Sequence, residues 1–394
     1  MAPLTTSDLK IKILGITPVL KDETGVLNPQ EIVSLSALLT FKGKSIKRLL
    51  AEAMEKRQNL KEKITGILKR SSLRGHASIA TTPTLCLSYE GSKFLDSMLT
   101  GIVFSSSLVS SGRRTDTTID DIVFPKKIFS DQPARKIYQA ASEKNINFLN
   151  NLISQGIAKD EASKILQYGI YGTGIIQLPV ESIIGFRREY QQEKEWLPEE
   201  AGFLLSQIEG KLKELGIDLL YFMRLVAPRN IYPYPNIFKD PKENNLVREF
   251  YNKRNGQAGL ISSCFEITPG LKKELLNYKK EFNKLIKNRA ELKKNWLASL
   301  LKFGKVLRDY HSAANLKVLS SVPWRVWGEK KRHRTVPMII ESIYYCVERT
   351  ARVFHKHRQA IIGKKINKKI ITEIEKVFSI PPSLRKNREL LLSW

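Results

Sequence analysis

The sequence predicts an α+β protein, helix-rich overall, with small antiparallel or mixed sheets flanked by helices. Three observations predict it. Apolar residues recur at helix spacing through 30–69 and again through 133–164. Short alternating or β-branched stretches at 10–16, 84–89 and 104–111 read as strands. A strand, short helix, strand unit at 84–111 also has a counterpart in the second half of the chain, which points to a tandem repeat.

In chain order, 10–16 is a short extended piece. Asn28-Pro29 is a helix start signal, and Leu35, Leu38, Leu39, Leu49, Leu50 and Met54 mark a helical face. Thr84 to Tyr89 alternates as a strand, Glu90-Gly91-Ser92 reads as a turn, and 93–100 as a short helix. Phe104 to Ser111 returns as a strand. Residues 133–164 read as helix interrupted at Gly156, and the glycines of 169–174 as a flexible turn rather than a phosphate loop, since they fit neither GxGxxG nor GxxxxGK. Pro228, Pro233, Pro235 and Pro241 mark a domain boundary. Residues 269–303 outline one or two amphipathic helices with lysines on the outer face. Residues 324–331 read as a short helix, 336–345 as a strand, and 348–362 and 367–378 as basic helices.

The chain of 394 residues holds Lys+Arg 66 against Asp+Glu 39, a net charge of +27. Such an excess favours anionic partners, nucleotide phosphates or nucleic acid, although the lysines are spread along helices rather than gathered in one block. No apolar run approaches the roughly 18 to 20 residues needed to span a bilayer. The N-terminus lacks signal-peptide features, and Cys86, Cys264 and Cys346 lie far apart without a CxxC. A cytoplasmic protein without membrane, disulfide framework or zinc site is expected. No hydrolytic triad or metal cluster stands out.

The dense cationic feature is Arg332-His333-Arg334, followed after seven residues by Ser342. Two guanidiniums around an imidazole suit bidentate grips on phosphate. In the first half, Ser111-Gly112-Arg113 closes the strand 104–111, and Gly75-His76-Ala77-Ser78 precedes the strand at 84. Ser342 lies 231 residues after Ser111, and Arg332 the same distance after Gly101.

This pattern resembles the flavin-dependent thymidylate synthases, in which an Arg-His-Arg triplet and a serine form the nucleotide and flavin site. The resemblance implies two tandem copies of that domain: 1–226, a Pro-rich linker at 227–265, and a shortened copy at 266–394. The first copy has Gly101-Ile102-Val103 where the triplet belongs, and Thr81-Thr82 where the family has glutamate and histidine. It keeps Ser111-Gly112-Arg113. The second copy keeps the triplet, but Ile343 and Tyr344 follow its serine. The resemblance further implies reductive methylation of dUMP to dTMP, with FAD as cofactor and NADPH and methylenetetrahydrofolate as co-substrates. Arg332, His333, Arg334 and His311 are then expected at the flavin, and Arg332, His333, Arg334 and Ser342 at the reacting centre. Ser111, Gly112, Arg113, Arg332 and Ser342 are expected at the dUMP. Family sites form between subunits, so a homo-oligomer, a dimer of tandem chains, is expected with a composite pocket. The alternative is a catalytically degenerate paralogue that binds a nucleotide or nucleic acid. His76 reads as a turn histidine, and Cys86 and Cys346 as packing residues.

Overall fold

The computed structural model describes residues 3–22, 25–39, 43–111, 114–227, 237–240, 259–265, 314–319 and 340–347, with scattered positions in 245–283, Trp327 and Met338. It divides into two compact units, Met1–Lys242 with Trp324–Trp394, and Glu243–Pro323. The fold class is α+β and helix-rich. The described part of the smaller unit includes an antiparallel ribbon of two strands, Gly259–Phe265 and Ala314–Leu319.

In the larger unit a four-stranded antiparallel sheet holds β1 (Lys10–Thr17), β2 (Thr84–Ser92), β3 (Ser106–Val109) and β4 (Tyr171–Pro179), in the order β1-β2-β4-β3. β2 and β4 pair along their whole length, from Thr84 opposite Pro179 to Ser92 opposite Tyr171. Alternation along β2 turns Leu85, Leu87 and Tyr89 inward, and Ile176 and Leu178 of β4 join them in the core. β1 pairs with β2 and shifts register between Ile13 and Gly15.

Helices form where the caps and stripes specify them. The first, α1 (Pro29–Ser36), starts at a capping box in which Asn28 accepts from the Glu31 amide and the Glu31 carboxylate accepts from the Asn28 amide. Gly216 approaches this cap at φ +64, and a Cβ there would lie 2.6 Å from that of Asn28, so only glycine fits. Next come α2 (Ile46–Glu55) and α3 (Leu60–Arg70), the latter burying Leu60, Ile64, Ile67 and Leu68. The two-turn α5 (Lys93–Leu99) packs on the sheet and follows the single turn α4 (Ser78–Thr81). The long α6 (Gln132–Ser154), capped by Asp131, ends before Gly156 at φ +82. Then α7 (Val180–Glu193), α8 (Glu200–Gly210) and α9 (Asp218–Leu225) complete the layer.

Three expectations are corrected. Glu90-Gly91-Ser92 is not a turn but the end of β2, with Gly91 opposite Gly172. A Cβ on Gly91 would come within 2.7 Å of Leu95, so the glycine is required by close packing of α5. The glycines of 169–174 likewise belong to the approach and start of β4. A Cβ on Gly174 would meet the Leu108 carbonyl oxygen at 2.8 Å and the Tyr89 hydroxyl at 2.9 Å. The strand expected at 336–345 is absent where the chain is described: 343–347 is helical. Ser342 occupies its N-cap position, its carbonyl accepting from the Cys346 amide at 3.1 Å. Burial of Ile343 and Tyr344 against neighbouring segments outweighs their β propensity.

The proline-rich boundary lies largely outside the described residues. The helix expected at 269–303 is helical at its described positions up to residue 283. The segments 348–362 and 367–378 lie outside the described residues.

One buried ion pair locks the helices together. Arg224 of α9, 0% exposed, donates to both Glu181 carboxylate oxygens of α7 at 2.7 and 2.8 Å. Arg188 of α7 donates to the carbonyls of Arg224, Leu225 and Ala227, satisfying the C-terminal end of α9. Replacing Arg224 by Met strands the Glu181 charge, and chemical denaturation should show a loss of about 3–5 kcal/mol.

Candidate functional site

The expected phosphate segment leaves β3 directly. Val109 is the last residue of that strand, Ser110 follows it, and Ser111 opens a tight turn whose carbonyl accepts from the Arg114 and Thr115 amides. Ser110 is clamped from two sides. Its amide donates to the Thr173 carbonyl at 2.8 Å, and its hydroxyl accepts from the Thr173 amide at 3.3 Å. From α5, the Lys93 ammonium reaches both the carbonyl and the hydroxyl of Ser110 at 2.5 Å.

Lys93 is itself fixed. It pairs with Asp96 at 2.9 Å, and the two side chains are only 13% and 10% exposed. The other Asp96 oxygen accepts from the Tyr89 hydroxyl at 2.5 Å. Burial, reinforced by the Asp96 charge, pushes the Tyr89 and Tyr168 phenols far above their ordinary range, so both remain protonated donors. Beyond the turn, Lys159 donates to Asp116 at 2.5 Å and lies 3.5 Å from the Arg114 carbonyl. Its ammonium holds the Asp116 carboxyl below the usual range. Lys93 thus holds Ser110, and Lys159 holds Asp116.

Ser342 is placed differently. It is 1% exposed, and its hydroxyl donates to the Lys239 carbonyl at 2.7 Å. Ile343 donates to the Ile237 carbonyl at 2.9 Å, and the Tyr344 ring packs on Trp196 with its hydroxyl on the Trp196 carbonyl. Phe238, the neighbour of Lys239, meets Phe94 edge-on at 6.1 Å between ring centres. Lys93 of α5 thus touches the residue before Ser111, while Phe94 of the same helix touches Phe238, the neighbour of the Lys239 to which Ser342 is tethered. Gly112, Arg113, His311, Arg332, His333 and Arg334 lie outside the described residues.

At the opposite end of the β3–β4 pair lies a cleft of about 600 Å³ lined by Gly75, His76, Ala77, Ser78, Thr81, Phe104 and Pro179. The Gly75-His76-Ala77-Ser78 stretch lines it, together with Phe104, which directly follows the slots 101–103. Ser182 donates to the Val103 carbonyl at 2.6 Å, and Ser105 holds the Ile102 carbonyl at 2.7 Å through its hydroxyl. These bonds keep Phe104 at φ +60, a conformation costly for an aromatic residue, with the residue 56% exposed. His76 sits in a turn, its amide donating to the Ser71 carbonyl at 3.2 Å.

Sequence reading missed Lys93, Asp96 and Tyr89. The available signal was a Lys/Asp pair three residues apart inside the apolar helix KFLDSML, where two charges are misplaced unless they serve each other. It also missed Glu200, which is fully buried and accepts from the Ser92 amide at 2.9 Å and from the Ser92 hydroxyl. Burial raises the Glu200 carboxyl from 4.5 to about 7, against the pull of the Ser92 donors. Among the described residues no group of His, Cys, Asp and Glu could hold a metal ion, and no helix is long and apolar enough to cross a membrane.

No protein-family model matches the sequence, and no curated protein matches it. Among solved structures, a UMP/dUMP methylase PolB from Streptomyces cacaoi bound with 5-Br dUMP is similar at 13% identity and a TM-score of 0.44, covering 57% of this chain and 100% of that one. The same enzyme bound with 5-Br UMP is similar at 14% identity and a TM-score of 0.38, covering 56% of this chain and 97% of that one. A backbone likeness at this level assigns no activity to the present chain.

Because the folded Glu200 carboxyl binds its proton more tightly than the unfolded one, its contribution is present below about pH 4.5 and lost as pH rises through about 7. A Glu200→Gln variant should gain stability relative to wild type across that interval, by up to about 3 kcal/mol at its upper end. Denaturation midpoints of both proteins measured against pH check this, and parallel curves would refute it.

Proposed function

We propose that this protein is a flavin-dependent methylating enzyme acting on a pyrimidine nucleotide, converting dUMP to dTMP with methylenetetrahydrofolate and NADPH. The observation that carries the reading is complementary retention. One half keeps Ser111-Gly112-Arg113 and the other Arg332-His333-Arg334 with Ser342, at matching spacing. Support from the fold is that Lys93 of α5 holds Ser110, the residue before Ser111, through both its carbonyl and its hydroxyl. In this reading the chain is a tandem of two related halves, and Arg113 and Arg332 grip the nucleotide phosphate from separate copies. Its working form is a dimer of such chains.

The residues assigned to FAD by the resemblance, His311, Arg332, His333 and Arg334, are the cationic and imidazole donors a flavin nucleotide requires. FAD, when bound, supplies the redox chemistry by which the transferred carbon becomes a methyl group. The protein's own residues then bind and orient: guanidiniums hold phosphate and Ser111 sits beside them.

A second reading, a nucleotide- or nucleic-acid-binding paralogue without catalysis, is favoured by one observation. The Ser342 hydroxyl is buried and already donates to a backbone carbonyl.

The purified protein should carry a flavin absorption band and bind dUMP. Arg113→Ala and Arg332→Ala, tested separately by calorimetry, should each weaken dUMP by about a hundredfold, the loss of a bidentate charged contact. Full retention in either variant removes the composite site. A colourless protein with salt-sensitive affinity for DNA or RNA supports the second reading instead.

A further inference from the structure

The Lys93 ion pair is unusual for its position. A lysine at the first turn of a helix opposes the helix dipole, which favours anions there. It is also largely desolvated, an expensive state for an ammonium. The geometry shows what offsets these costs: three acceptors, from Asp96 and from the carbonyl and hydroxyl of Ser110, saturate the three ammonium protons. Asp96 cannot swing away, because Tyr89 holds its second oxygen. The Tyr89 side chain is in turn fixed by its place on the central strand, where the glycine at 174 makes room for its hydroxyl. A rigid line therefore runs from the sheet through Tyr89, Asp96 and Lys93 to Ser110, the residue before Ser111.

We infer that Lys93 is a positioning residue for nucleotide binding: held by Asp96, it fixes the backbone of Ser110 and thereby aims Ser111 at the phosphate. The ammonium acts on the loop and not on the ligand, since its protons are already engaged. This rests on the nucleotide reading above and adds to it a residue that the motif does not contain. Deleting the ammonium frees Ser110 on the α5 side while its bonds to Thr173 persist, so the strand end survives and the turn beyond it loses its aim.

The test compares wild type, Lys93→Met and Ser110→Ala in titrations with dUMP and with deoxyuridine, which shares the base and sugar but lacks the phosphate. Thermal unfolding of each protein is followed in parallel. Lys93→Met is expected to weaken dUMP by about tenfold or more and deoxyuridine by less than about twofold. Ser110→Ala leaves the ion pair intact and keeps the test usable if the lysine variant does not fold. It is expected to weaken dUMP by roughly threefold to tenfold, again sparing deoxyuridine. Equal losses for both ligands indicate general loosening and overturn the inference. Unchanged dUMP binding in the variants, with binding by the wild type, overturns it while leaving the nucleotide reading intact. Failure of wild type to bind dUMP overturns both.

Discussion

The pairing of Thr84–Ser92 with Tyr171–Pro179 is the constraint on which the rest of the larger unit depends. Nine residues of each strand are hydrogen-bonded in unbroken antiparallel register. That register sets Gly91 against Gly172 and brings Gly174 over the Tyr89 hydroxyl. Side chains are missing at those points because another element occupies the space: α5 above Gly91, and the edge strand β3 beside Gly174. A slip of one residue would turn Leu85, Leu87 and Tyr89 outward and move the glycines away from the close approaches they permit.

Polar groups buried around this pairing serve the same end. Glu200 ties α8 to the last residue of β2 through Ser92, and Glu181 ties α7 to α9 through Arg224. Each is costly alone and tolerable only with its partner in place. The Tyr89–Asp96–Lys93–Ser110 line belongs to the same class, but it ends at a turn instead of inside the core. That outer end is where the positioning role proposed for Lys93 would act.

The second half shows how packing overrides local preference. The family pattern has glycine and arginine after the motif serine, where this chain has Ile343 and Tyr344. Both side chains are buried, with the Ile343 amide bonded to the Ile237 carbonyl and the Tyr344 ring set at a tilt against Trp196. Ser342 itself is used as a helix cap and a tether to Lys239. These contacts account for Ile343 and Tyr344 at those positions.

Much of the fold was legible in the residues. Asn28-Pro29 announced α1, period-two alternation announced β2, and Gly156 marked the end of α6, because caps, pleats and positive φ are local requirements written in local residues. The cluster at 332–334, proposed to seek anions, lies outside the described residues. The roles of Gly91, Gly172 and Gly174 were not legible, since a glycine required by a neighbour's approach looks in sequence like one required by a turn. Nor was the partnership of Lys93 with Ser110, seventeen residues away. Composition and spacing determined that the chain is a basic α+β protein with guanidinium-rich motifs. Only the tertiary structure decided which charges face each other, because desolvation and pairing depend on distances that exist only after the strands have met.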